Sequence, residues 1–149
     1  MARYDKYDPI SGGFRAPLAA DLTLNGAGEF GPKAVSLNSS GRVVVGTAGT
    51  SGLAGILVKN GARQPWGATT AGPQGTVNAA APIGCMAGDI VDVMTNGEIV
   101  DLAGSGITGL AAGIPVYATA AGDLTNVATG NTKVGWCVEA NRMIVRVAA

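Results

Sequence analysis

The sequence predicts an all-β protein, a small barrel or sandwich, and two observations carry that prediction. The first is alternation of apolar and polar residues with period two in short runs. Examples are Asp89-Ile90-Val91-Asp92-Val93-Met94, Glu98-Ile99-Val100-Asp101-Leu102 and Ile114-Pro115-Val116-Tyr117-Ala118. Residues 134–139 and 142–147 continue the pattern. The second is that Gly and Asn turns bound these runs, as half-buried antiparallel strands require. Asn96-Gly97 is the sharpest of them and predicts a two-residue hairpin joining the first two runs.

Taken in order, residues 1–22 differ from the rest and read as an extended N-terminal arm. Three of the seven aromatic residues, Tyr4, Tyr7 and Phe14, fall here, with Arg3, Lys6 and Arg15. Asp8-Pro9 and Gly12-Gly13 break regular structure. Pro17 keeps Ala16 extended, so Ala16-Pro17-Leu18 continues the arm. Aromatic and Arg anchors are enriched at interfaces, which favours a docking arm over a frayed terminus. Residues 23–149 then read as a single β-body. Residues 21–34, broken by Gly26, Gly28, Gly31 and Pro32, are a loop or broken edge strand. Short strands follow at 35–38, 42–46 and 53–59. Residues 62–81 form a long Pro- and Gly-containing loop holding Trp66. That ring reads as tucked over the chain's own core, with partner contact as the alternative. The link 103–113 has room for at most one helical turn, at 108–112, so the body holds at most one or two short helical turns.

A faint internal repeat runs through the body. Val35-Ser36-Leu37-Asn38-Ser39-Ser40-Gly41 leads on to Ala54-Gly55-Ile56-Leu57. Val116-Tyr117-Ala118-Thr119-Ala120-Ala121-Gly122 leads on to Val134-Gly135-Trp136-Cys137. Each block is a strand, a small-residue turn closed by Gly, a spacer and a Gly-containing strand. Two such units packed face to face would make a barrel or sandwich.

The composition excludes several functions. A chain of 149 residues with 47% apolar content can bury one core, so one folded body is expected. The formal net charge is zero and no Lys/Arg stripe appears, so no nucleic-acid partner is expected. No run of about eighteen apolar residues occurs, so no membrane span is expected. No apolar leader follows Met1, which points to synthesis in a reducing cytoplasm. Cys85 and Cys137 therefore read as buried free thiols in preference to a disulfide. The chain contains no His, which removes Ser-His-Asp and Cys-His catalysis and His-metal sites. Among the carboxylates, Asp89 and Asp101 are the one pair worth testing for acid–base or Ca²⁺ chemistry, and EF-hand spacing is absent. The expectation is a non-enzyme with no metal and no cofactor. Abundant Gly and Ala and few aromatics imply a thin core that gains from neighbouring subunits.

Several blocks resemble a family of small phage proteins that decorate icosahedral heads. They are Cys85-Met86-Ala87-Gly88-Asp89-Ile90-Val91-Asp92-Val93, Gly113-Ile114-Pro115-Val116-Tyr117, Gly122-Asp123-Leu124-Thr125 and Val134-Gly135-Trp136-Cys137-Val138. Tyr7-Asp8-Pro9-Ile10-Ser11-Gly12-Gly13-Phe14-Arg15-Ala16-Pro17 is similar to the leader of such proteins in phages of actinobacteria. The resemblance implies a β-tulip-like capsid decoration, or cement, protein without catalysis. It implies a homotrimer on the outer capsid surface of the virion, bound to the major capsid protein where capsomers meet. The expected shell contacts are Tyr4, Tyr7, Pro9, Phe14, Arg15 and Leu18, with partner contact by Trp66 kept as the alternative to its self-packing. The alternatives are a shell or tail subunit, or a head-fibre or glycan-binding module using Trp66, Tyr117 and Trp136.

Overall fold

The structure, a computed structural model, describes residues 12–23, 31–59, 83–100, 102 and 105–147. Among the described residues twelve strands follow one another: β1 (Gly13–Pro17), β2 (Leu22–Thr23), β3 (Lys33–Leu37), β4 (Val43–Val45), β5 (Gly55–Lys59), β6 (Ile83–Cys85), β7 (Ile90–Met94), β8 (Asn96–Ile99), β9 (Pro115–Ala118), β10 (Leu124–Thr125), β11 (Thr132–Glu139) and β12 (Arg142–Arg146). Sheet 1 has the order β1-β7-β5-β3-β4, sheet 2 the order β10-β9-β11-β12-β8, and β2 pairs with β6. Every strand pairing is antiparallel. The all-β prediction is met as a sandwich-like pair of open sheets, with no closed barrel and no helix among the described residues. The 108–112 segment is irregular.

The alternating strands divide their side chains between two cores. Val35, Val43, Leu57, Val91 and Val93 from one face of sheet 1 pack with Leu18, Leu22 and Cys85. Val116, Ala118, Leu124, Val134, Cys137, Met143, Val145 and Ile99 from sheet 2 pack with Ala34 and Ile56 from sheet 1. The second core therefore joins the two sheets. Sheet 1 also curls, because Leu18 bridges Val43 and Ala19 N–H donates to the Val43 carbonyl at 2.8 Å.

One expectation is corrected. The Asn96-Gly97 hairpin does not form, since β7 lies in sheet 1 and β8 in sheet 2, with only Thr95 between them. A type I′ turn needs positive φ at both central residues, and no described residue other than Gly has positive φ. Asn96 instead extends opposite Arg146. The Gly12 carbonyl accepts from Thr95 N–H at 2.7 Å and Asn96 N–H at 3.0 Å, and Val147 N–H donates to the Thr95 carbonyl at 2.9 Å. Part of residues 1–22 is strand. Gly13–Pro17 is the edge strand of sheet 1, paired along its length with β7. Pro17 fits there because an edge strand has a side that needs no N–H donor.

The faint repeat is structural. Counted along the chain within each sheet, both sheets run first, fifth, fourth, second, third. Their registers coincide as well. Leu37 opposite Val43 corresponds to Ala118 opposite Leu124, and Val35 opposite Gly55 to Val116 opposite Gly135. Leu57 opposite Val93 corresponds to Cys137 opposite Met143, and each strand then carries a register shift before Lys59 or Glu139. The glycines at matched places have the same cause. A Cβ at Gly55 would sit 2.7 Å from the Met94 carbonyl oxygen, and one at Gly135 would collide with its counterpart on Ile144.

Candidate functional site

The expected contact residues divide into three groups. Tyr4, Tyr7, Pro9 and Trp66 lie outside the described residues, as does Asp101. Phe14 and Arg15 lie on β1, directly opposite Val93 and Asp92. Phe14 is half-buried against the first core, whereas Arg15 is exposed and its Nε pairs with Asp92 Oδ1 at 2.6 Å. Leu18 is 1% exposed and belongs to that core. Its N–H donates to the Asp89 carbonyl and its carbonyl accepts from Gly88 N–H, both at 2.8 Å. Leu18 thus lies in the core of its own chain. Sequence reasoning missed this because a lone Leu after a Pro shows no alternation.

Of the residues named for a glycan alternative, Tyr117 and Trp136 lie on β9 and β11 and are half-buried. Their neighbours Val116, Ala118 and Cys137 fill the core, so both rings face away from it. The Arg146 guanidinium lies 6.0 Å from the Trp136 ring centroid. Asp89 serves a turn: its Oδ2 accepts from Met86 N–H at 2.9 Å, and its own N–H donates to the Met86 carbonyl at 3.0 Å. Neither Cys85 nor Cys137 forms a disulfide, and they are buried in different cores. Burial pushes the Cys137 thiol up from its ordinary pKa.

Two turns that the sequence reading treated only as repeat punctuation have matching geometry. In the first, Asn38 N–H donates to the Arg42 carbonyl, Gly41 N–H to the Asn38 carbonyl, and Arg42 N–H to Asn38 Oδ1, each at 3.0 Å. In the second, Thr119 N–H donates to the Asp123 carbonyl, Gly122 N–H to the Thr119 carbonyl, and Asp123 N–H to Thr119 Oγ1, at 2.9, 3.0 and 3.1 Å. Gly41 and Gly122 both adopt left-handed φ, 72° and 92°. The second turn docks on sheet 1. Ala34 N–H donates to the Gly122 carbonyl at 2.8 Å, Thr47 N–H to the Ala120 carbonyl at 3.2 Å, and Lys33 Nζ meets Asp123 Oδ1 at 2.5 Å.

A duplicated β-scaffold whose candidate contacts sit on an edge strand and on turns has the build of a structural assembly protein. The chain belongs to the family described as structural cement protein (E217 gp24/Pam3 gp6), whose pattern it matches over residues 3–149. As a phage structural cement protein it is a component of the virion, on the capsid, and its role is capsid stabilisation. A solved structure from Mycobacterium phage Patience shares the fold, with a TM-score of 0.62 and 21% sequence identity, covering 97% of this chain and 95% of that one. No curated protein matches the chain. Among the described residues no helix is long and apolar enough to cross a membrane, and no cluster of three metal-ligating side chains occurs.

Proposed function

We propose that the chain binds the outer surface of an icosahedral phage head as a homotrimer and clamps neighbouring capsomers through the major capsid protein. The observation that carries this reading is the position of β1. Residues 1–11 lead straight into a strand that, among the described residues, stands at the edge of sheet 1, and an edge strand can take a partner strand. Tyr4, Tyr7 and Pro9 are the proposed contacts of the leading segment, with Phe14 and Arg15 at its root. Arg15 is exposed on that edge, paired through Nε with Asp92, and a planar guanidinium suits an acidic or carbonyl-rich groove. Leu18, the last of the proposed set, is buried in its own chain and would hold the root of the segment in place. The function uses no catalysis, nucleic acid or membrane. Trimerisation would link several weak contacts into one avid one.

The test is co-sedimentation of the purified chain with heads assembled without it, with its mass measured by light scattering. Saturable binding of a trimer is the expected result. A monomer that leaves such heads bare sinks the proposal. Removing residues 1–11, which spares β1, is expected to weaken binding at least tenfold while leaving the melting temperature within a few degrees.

A further inference from the structure

We infer that the Asn38-Ser39-Ser40-Gly41-Arg42 turn is a second capsid contact, which docks on an exposed strand of the major capsid protein beside a carboxylate. This rests on the head-binding reading above and adds a place and a chemistry to it. The support is the molecule's own duplication. The matching turn at 119–123 shows how this loop shape docks: its Gly122 carbonyl takes the N–H of Ala34 on β3, its Ala120 carbonyl that of Thr47 in the bend after β4, and its last side chain pairs with Lys33 at the start of β3.

The first turn is already built, with the same three internal hydrogen bonds. Yet Ser39, Ser40, Gly41 and Arg42 are all exposed, and a Cβ placed on Gly41 would have nothing within 4 Å. The charge at the last position is inverted. Asp123 faces Lys33, so Arg42 at the equivalent place calls for an Asp or Glu on its partner.

A second copy of the chain does not supply the surface. The Ala34 N–H that would receive the turn is occupied by the chain's own Gly122 carbonyl. The counterpart of Ala34 in sheet 2 is Pro115, one residue before Val116 as Ala34 is one before Val35, and proline has no N–H to give. Neither equivalent position on a second copy is open, so we assign the receiving strand to a different protein.

The experiment measures binding of the full-length chain to heads assembled without it. Arg42→Glu and Ser40→Trp are compared with wild type, and Lys133→Glu, an exposed cation on sheet 2, serves as the charge control. Thermal melts of all four establish that each is folded. The expected result is at least tenfold weaker binding by both turn variants and wild-type binding by Lys133→Glu. Wild-type binding by either turn variant overturns the inference, as does an equal loss in Lys133→Glu. Failure of the wild-type chain to bind overturns the head-binding reading itself, so the two failures are told apart.

Discussion

Leu18 and Cys137 show what single side chains do in a thin core. Leu18 is 1% exposed and sits where the curled sheet meets its own far edge. Leu18→Ala removes buried methyl groups from a site held by backbone hydrogen bonds on both sides, so the cavity collapses poorly. The expected cost is about 2–5 kcal/mol, read as a lower urea midpoint of the isolated protein. An unchanged midpoint with lost head binding would place Leu18 on the partner surface instead. Cys137 gives a pH prediction. Its raised thiol pKa means the folded chain keeps a proton that the unfolded chain has released. That contribution is intact below the ordinary thiol pKa and is lost as pH rises from there to the raised value. Urea midpoints measured from neutral to alkaline pH should fall more steeply for wild type than for Cys137→Ala. Parallel curves would show that the thiol is not responsible.

Among elements, β1 decides where the leading segment ends and the body begins. Removing residues 1–17 deletes the strand that covers one edge of β7 and takes half-buried Phe14 with it. This truncation is expected to aggregate or melt at much lower temperature than the 1–11 deletion. Comparable melts would make β1 an appendage. The Arg15–Asp92 pair contributes little to that difference, because both side chains are about half exposed and solvent screens them; a value of about 0–1 kcal/mol is expected. Strands with alternation, such as β7, β9, β11 and β12, were legible from sequence to within a residue or two. β1, β2, β6 and β10 were not. Two of them are only two residues long, and β1 is flanked by Gly12 and ends in Pro17. Such residues break an isolated strand, but a neighbouring strand overrides them when it supplies the hydrogen bonds. Asn96-Gly97 failed in the opposite direction, because pairing of β8 with β12 outweighs a local turn preference.

For the whole molecule, the duplication was readable as a pattern of turns and glycines, but its meaning was not. Val35 and Val116 share a register position while filling different cores, a difference that no local signal in either block encodes. Because Ala34 and Ile56 of sheet 1 lie in the core of sheet 2, sheet 2 has no complete interior of its own. Calorimetry should therefore give one unfolding transition, and a fragment beginning at residue 96 should stay unfolded. Two separable transitions would mean that the sheets are independent units. The joint between them has a mechanical consequence. With Thr95 as the single connecting residue, and bonds from both termini of the described body closing on it, no hinge is available at that point. A pull on one half is passed directly to the other, as through a short rigid strut.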